Sequence, residues 1–201
     1  PWVLTQNYAE DLWWTYHLQE EDASSKAVSW TCQDTCRDLG TTKRYIQVQQ
    51  HPNGASFEKA GAIFQSQAGQ DFLNDLSTVI VTGLEGAGTP VLNFGDVDFE
   101  KNPFLALYNV RVKDAKRYGD IFSDFMDSAD LPGSATLYQD TFTGTENRTH
   151  YIVMSGPSLD ALMDGISSTL NSDNGQKFQK RASSVRKVLS TNLMLHVRTW
   201  N

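Results

Sequence analysis

The sequence predicts an α+β protein built from two tandem βαββαβ units, and three observations lead to this prediction. First, an apolar strand, a turn bearing glycine or proline and an amphipathic helix occur in each half, with matches 89 residues apart: Ile63/Ile152, Ser66/Ser155, Asp71/Asp160, Leu73/Leu162 and Asp75/Asp164. Second, the predicted order of strands and helices in the first half recurs in the second. Third, a lone βαββαβ sheet leaves one large face bare, and such a face must be covered. We therefore expect the two sheets to pack face to face, helices outside, as a pseudo-dimeric α/β barrel within one chain.

Alternating apolar and polar residues, together with turn residues, define the elements of the first half. Residues 1–10 are expected to form an extended lead-in. Gly40 is the expected end of the first helix, because glycine adopts a left-handed conformation at no steric cost. Asn53-Gly54 predicts a tight turn between two strands. The predicted elements are a strand at 11–19, a helix at 20–39, strands at 43–50 and 56–66, a helix at 70–81 and a strand at 90–94.

The second half repeats this order after a short linker at 99–103. Asp114 and Ser158 are predicted to cap helices, because their side-chain oxygens can accept from backbone N–H groups of the first turn. The predicted elements are a strand at 104–112, a helix at 115–128, strands at 135–142 and 150–155, a helix at 159–170, an additional helix at 176–189 and a strand at 191–200. We therefore assign residues 1–98, with their N-terminal extension, to the first unit and 104–201 to the second.

Composition and charge exclude several classes of function. The net charge of -7 argues against general nucleic-acid binding, which requires an excess of Lys and Arg, and against binding to anionic membrane surfaces. No stretch approaches the roughly 20 apolar residues that a membrane-spanning helix needs. We expect a soluble protein. Because the chain begins at Pro1, either a leader has been removed or the chain was trimmed, and both cytoplasmic and secreted or periplasmic locations stay open.

Cys32 and Cys36 are the two cysteines, four residues apart on a predicted helix. Residues at this spacing share a helix face. Three interpretations stay open: two buried thiols, a strained local disulfide, or part of a metal site. We predict no metal, because no histidine or second cysteine pair has the usual ligand spacing.

Alternation along the strands sorts their side chains by face. In the strand 104–112, the wholly apolar set of Ala106, Tyr108, Val110 and Val112 should lie under the helices. The mixed set of Leu105, Leu107, Asn109 and Arg111 should face the partner sheet. By the same rule the partner-facing sets elsewhere include Trp13 and His17 in the first strand, Tyr138 and Asp140 in the second unit, and Asn192, Met194, His196 and Arg198 in the last strand.

These inward-facing polar residues are the candidate site. A histidine there could act as a general base near neutral pH, and Arg or Asn could stabilise an enolate or carboxylate. Such a site suits cofactor-free proton abstraction or oxygenation of a small aromatic or carbonyl compound. The alternative is a satisfied polar network at a sheet interface. The candidate catalytic residues are His17, His196 and Asp140, and the candidate ligand-binding residues are Trp13, Asn109, Arg111, Tyr138 and Arg198.

Three further patterns are weaker. Asp96, Asp98 and Glu100 alternate along an extended segment, but a calcium loop requires glycine where Lys101 stands, so a solvated acidic segment is the preferred interpretation. Asn147-Arg148-Thr149 matches a glycosylation sequon. Basic residues on the last predicted helix form either a solvated face or a site for an anionic partner: Lys177, Lys180, Arg181, Arg186 and Lys187.

The order and spacing of elements over about residues 11–200 resemble the ferredoxin-like dimeric α/β-barrel superfamily, which includes antibiotic-biosynthesis-type monooxygenases. The resemblance implies a small-molecule pocket in the barrel or between sheet and helices, although the superfamily also contains members without a known ligand. Two functions follow as expectations: a cofactor-independent, monooxygenase-like protein that binds a small molecule, or a non-catalytic binding or structural module with a filled barrel. We expect no cofactor. The intrachain pseudo-dimer makes a monomer sufficient and leaves further dimerisation open.

Overall fold

The computed structural model describes residues 2–7, 26–32, 44–51, 53–78, 85–143 and 147–200. Eight strands and five helices lie within these ranges. In the first half they are β1 (Trp2–Asn7), β2 (Lys26–Cys32), β3 (Arg44–Gln50), α1 (Gly54–Gln65), α2 (Gln67–Ser77) and β4 (Glu85–Phe94). In the second half they are β5 (Phe104–Val112), α3 (Ala115–Met126), β6 (Ala135–Thr143), β7 (His150–Gly156), α4 (Leu159–Asn171), α5 (Asp173–Ala182) and β8 (Arg186–Trp200).

All eight strands form one closed antiparallel barrel in the order β1-β3-β2-β8-β5-β7-β6-β4. Hydrogen bonding between β2 and β8, and between β4 and β6, joins strands of the first half to strands of the second. The α+β class is confirmed. The two sheets that we expected to stack face to face instead join edge to edge, because an antiparallel barrel pairs every strand and leaves no open edge.

Several predictions for the first half are wrong. The predicted helix at 20–39 is occupied by strand β2 at Lys26–Cys32, so Cys32 lies in a strand, and Cys36 lies outside the described residues. The predicted strand at 56–66 is helix α1. The cause is Asn53, whose side chain accepts a hydrogen bond of 2.9 Å from the Ser56 N–H and caps a helix where we expected a turn. The predicted strand at 11–19 lies outside the described residues.

The internal match at a spacing of 89 residues is also wrong as an alignment. Ile63 lies in helix α1, whereas Ile152 lies in strand β7. The pairs Asp71/Asp160, Leu73/Leu162 and Asp75/Asp164 do lie in helices, α2 and α4, so the match fails where a strand was expected in both halves. Short apolar runs such as these fit either a strand or a buried helix by their pattern alone.

The second half follows its predicted elements closely. Strand β5 has the predicted limits, and the caps are confirmed: Asp114 accepts from the Arg117 N–H at 3.0 Å and Ser158 from the Ala161 N–H at 3.1 Å. The predicted helix at 176–189 is too long, because α5 ends at Ala182 and β8 begins at Arg186. Between them, the hydroxyls of Ser183 and Ser184 each donate to a backbone carbonyl three residues earlier.

The two faces of β5 separate two packed clusters. The predicted helix-facing set is confirmed: Val110 and Val112 pack with side chains of α3 and α5, while Ala106 packs with those of α4. On the other face, Leu105 and Leu107 belong to a cluster inside the barrel. The helices therefore cover the outside of the barrel in this half, and the inward face lines its interior.

The same corner joins the helices in each half. Ser66 ends α1 and caps α2, and Ser172 ends α4 and caps α5 with nearly identical backbone angles. The hydroxyl of Ser66 accepts from the Gly69 N–H at 3.2 Å, and that of Ser172 accepts from the Gly175 N–H at 3.0 Å. Both corners have the sequence Ser-x-x-Gly-Gln-x-Phe, at 66–72 and 172–178, a spacing of 106 residues.

We predict that Gly175→Ala destabilises the protein by roughly 1–3 kcal/mol, because its methyl group would overlap the carbonyl oxygens of Thr169 and Leu170. The matched control is Gly61→Ala in the middle of α1, where a methyl group meets nothing within 4 Å. This control should stabilise by about 0.5–1 kcal/mol, since alanine loses less backbone freedom in a helix. Urea unfolding measures both changes, and equal effects at the two positions would contradict the prediction.

Candidate functional site

The inward face of the second-half strands carries a wall of apolar and aromatic side chains. Val97 and Phe99, in the loop between β4 and β5, pack against this wall at the end of the barrel where β5 begins. The wall is densely covered, since Leu105 is 0% exposed and Tyr151 is 3% exposed. The wall consists of Leu105, Leu107, Tyr138, Tyr151 and Met194, with Val153 partly buried beside them.

Two stacked tyrosines form the centre of this wall. Tyr138 of β6 and Tyr151 of β7 are paired in register, and their rings stack with centroids 4.7 Å apart and an angle of 8° between the planes. The Tyr151 hydroxyl lies against Gly88 of β4, where any side chain would collide with it. Burial raises the pKa of Tyr138 to about 12 and raises the pKa of Tyr151 as well. Both side chains are therefore neutral phenols at physiological pH.

A buried ion pair lies next to the tyrosines. Arg148 donates from Nε and Nη2 to the two carboxylate oxygens of Asp140, each at 2.8 Å. Its Nη1 donates to Oδ1 of Asn109 at 3.1 Å, and its guanidinium lies 4.9 Å from the centre of the Tyr151 ring. The side chains of Arg148 and Asp140 are 9% and 3% exposed. This paired and hydrogen-bonded geometry is the one in which a charge tolerates burial.

Asn109 extends the network to the last strand. Its side-chain nitrogen donates to the Ser190 hydroxyl at 2.9 Å, so the network joins residues of β5, β6 and β8 through Arg148, which precedes β7. Of the candidate residues, Asn109, Tyr138 and Asp140 are thus close together at one end of the barrel. Arg111 is half-buried and lies outside this network; its Nε donates to the Asn147 carbonyl at 3.1 Å.

Arg148 is the member of this network that sequence reasoning missed. It appeared in the sequence only as the middle residue of a glycosylation sequon. Its contacts depend on the pairing of β6 with β7, because that register decides which side chains of the two strands are neighbours. No spacing along the chain carries that information.

His196 lies at the opposite end of the barrel. Leu195 pairs with Phe104 at the start of β5, whereas Ser190 pairs with Asn109 near its end. The buried His196 hydrogen bonds through Nε2 to the Thr199 hydroxyl at 2.9 Å, and its ring centre is 6.3 Å from that of Phe99. The predicted group of polar residues is therefore divided between two ends.

The remaining candidates are less well defined. Trp13 and His17 lie outside the described residues. Arg198 pairs with Ser29 of β2 through its backbone, and its side chain is not described. In the part of the chain that the structure describes, no group of three His, Cys, Asp or Glu residues could hold a metal ion, and no helix is long and apolar enough to span a membrane.

No family model matches the sequence, and no curated protein matches it. Solved structures do match the fold. One is an anthrone oxidase-like protein, with 9% identity and a TM-score of 0.59 over 99% of this chain and 92% of that chain. Another is a proposed monooxygenase from Fusobacterium nucleatum, with 11% identity and a TM-score of 0.59 over 100% and 94%. A chlorite dismutase from Candidatus Nitrospira defluvii has 11% identity and a TM-score of 0.53 over 98% and 90%.

These neighbours have ferredoxin-like dimeric α/β-barrel folds, which supports the fold-level resemblance seen in the sequence. At identities near one in ten, the likeness establishes the fold alone. Function depends on the residues placed on the fold, and must be argued from them.

We predict that Arg148→Met lowers the free energy of unfolding by about 3–5 kcal/mol, because it leaves the Asp140 carboxylate buried without its partner. Adding Asp140→Leu should restore much of the loss, since the uncompensated charge is then removed. Lys116→Met is the matched control, because its pair with Asp120 is exposed and should contribute less than about 1 kcal/mol. Denaturant unfolding of the three variants and the wild type measures these effects, and a double variant as unstable as Arg148→Met would contradict the charge argument.

The raised pKa of Tyr138 makes stability depend on pH in the alkaline range. An unfolded tyrosine titrates near pH 10, as expected for a free phenol, and the folded Tyr138 has a pKa of about 12. The stability that the neutral Tyr138 gives to the folded protein is therefore fully present below pH 10 and is lost as the pH rises towards 12. We predict that the wild type loses stability relative to Tyr138→Phe over this range, as measured by urea unfolding at each pH. A constant difference between the two proteins would show that Tyr138 titrates normally.

Proposed function

We propose that this protein is monooxygenase-like and oxidises a small aromatic compound with molecular oxygen, without a cofactor, inside the barrel. The observation that carries the proposal is the position of His196, buried at the end of an apolar and aromatic wall. Imidazole is the side chain whose ordinary pKa suits proton transfer near neutral pH. The oxidase and monooxygenase descriptions of two structural neighbours agree with this chemistry.

The proposal includes a fused tandem architecture, with one ferredoxin-like unit at 1–98, a second at 104–201 and a linker at 99–103. Two observations support it. Each half supplies four adjacent barrel strands in the same order, with its fourth strand next to its first, then its third and its second. Each half also has the Ser-x-x-Gly-Gln-x-Phe corner between its helices. A single chain of this kind forms the whole barrel, which would otherwise require two separate chains.

In the proposed reaction, His196 removes a proton from an acidic C–H group of the ligand. The carbanion transfers an electron to O2, and the two radicals combine to form a C–O bond, giving a peroxide that takes the proton back from His196. Loss of the second proton from that carbon and cleavage of the O–O bond then turn the CH2 group into a carbonyl, so that one oxygen atom enters the product and the other leaves as water. Thr199 would hold the imidazole in place through its 2.9 Å hydrogen bond, and the apolar wall would exclude water from the carbanion.

Asp140 and Arg148 take a different role in this proposal. Their bidentate pairing occupies both carboxylate oxygens, so Asp140 is better suited to closing the far end of the barrel than to moving a proton. In this proposal Asn109 holds Arg148 in place by accepting its hydrogen bond. Tyr138 holds Tyr151 in place by ring stacking.

A non-catalytic module with a filled barrel is the second candidate. The observation that favours it is the burial of the wall, in which none of the five residues is more than 5% exposed. Small eight-stranded barrels are often filled by their own side chains. Under this proposal the polar network at the Arg148 end is a satisfied structural element.

Anthrone is the test substrate, because its CH2 group is acidic and its oxidation to the quinone consumes one oxygen molecule and releases one water. We predict oxygen uptake and quinone absorbance with the wild type, and a loss of about 10²–10⁴-fold in kcat for His196→Gln. The matched control is His150→Gln, because His150 is also buried but shares the helix-facing side of β7 with Ile152. If the wild type neither binds nor oxidises anthrone, that result favours the non-catalytic module with a filled barrel.

A further inference from the structure

The linker between the two halves inserts an aromatic ring into the barrel end. Phe99 is 9% exposed and belongs to the inner cluster together with Leu105, Tyr151 and Met194. Its ring centre lies 6.3 Å from that of His196, with 40° between the planes. An aromatic neighbour of the proposed base is thus a phenyl group that is carried by the loop between β4 and β5 and not by a barrel strand.

Bonds within the linker hold this loop in its shape. Asp98 Oδ1 accepts from the N–H groups of Glu100 and Lys101, each at 3.1 Å, and Oδ2 pairs with the Lys101 amine at 2.8 Å. The Asn102 N–H donates to the Asp98 carbonyl at 2.9 Å. The Pro103 carbonyl accepts from the His196 N–H at 2.7 Å, which fixes the end of this loop to β8. Because the bonds of Asp98 join residues 98–102 to one another, this part of the loop can swing about Pro103 and keep them. Such a movement separates Phe99 and Val97 from the inner cluster.

We propose that the Phe99 ring occupies the position that an aromatic ring of the ligand takes in the barrel, and that the linker moves aside when the ligand enters. The inference rests on the proposed function and names the ligand class more closely. Among the described residues, leucine, methionine and tyrosine side chains pack around this position, and the His196 imidazole lies at its edge. The position therefore suits a planar, uncharged aromatic compound whose acidic C–H or O–H group faces His196.

This assignment also accounts for the filled appearance of the wall. An aromatic side chain in place of the ligand keeps apolar surface out of water, which is favourable. The ligand must then compete with Phe99, so its apparent affinity is lowered by the fraction of molecules in which the loop is closed.

A buried thiol tests the movement independently of any reaction. In a background with Cys32→Ser and Cys36→Ser, Met194→Cys places a thiol behind Phe99, and a disulfide reagent reports its accessibility. We predict that Phe99→Ala raises the labelling rate by about tenfold or more, since the loop then opens without exposing a buried ring. Phe142→Ala, at a side chain that is already 73% exposed, should leave the rate unchanged.

A second control separates local opening from general loss of stability. Leu162→Ala removes a fully buried side chain of α4 that packs against the helix-facing side of β5. It should raise the labelling rate only by the amount expected from its effect on global unfolding. Phe99→Leu, which keeps the loop apolar, serves if Phe99→Ala fails to fold. Equal labelling of the wild type and both Phe99 variants would overturn the proposal.

Phenol and cyclohexanol then test the ligand class, because they share a hydroxyl and differ in planarity. Phenol should slow the labelling of Phe99→Ala, and cyclohexanol should do so several-fold less. Equal protection by the two would overturn the aromatic assignment. Faster labelling together with no oxidation of anthrone would place the failure in the proposed reaction, whereas oxidation with unchanged labelling would place it in the movement of the linker.

Discussion

Closure of the sheet is the constraint on which the rest of this structure depends. The hydrogen bonds that join β2 to β8 and β4 to β6 turn strands from both halves into one barrel. Once the barrel is closed, each strand has an inner and an outer face, and successive side chains alternate between them. The helices of the second half cover the outer face, and the inner face is withdrawn from water by the barrel itself. His196, the tyrosine pair and the Arg148 network all depend on that enclosure.

The two ends of the barrel differ in chemistry. At one end Arg148 is paired with Asp140, hydrogen bonded to Asn109 and positioned over the Tyr151 ring, so its positive charge is balanced by groups of the protein itself. At the other end His196 has a hydroxyl partner and an aromatic neighbour. A buried ion pair whose charges are paired and hydrogen bonded favours a single packing arrangement. The barrel therefore holds a paired charge at one end and an imidazole at the other.

The sequence predicted what depends on local patterns. Strict alternation in β5 identified both of its faces, and single side chains identified the caps Asp114 and Ser158. The same local logic failed at Asn53-Gly54, because the residues that favour a tight turn also favour a helix N-terminus. Contacts between strands were beyond reach, since the pairing of Arg148 with Asp140 follows from a register that no stretch of sequence displays.

The approach of Tyr151 to Gly88 joins the two halves of the chain in a particular way. The ring belongs to the second half and the glycine to the first, and the hydroxyl has room because position 88 lacks a side chain. A slip of β4 by one residue would present Ala87 or Thr89 to the tyrosine in place of the glycine. The contact of the Tyr151 hydroxyl with Gly88 therefore favours one register of β4. A larger residue at position 88 should be tolerated only together with a smaller residue at position 151.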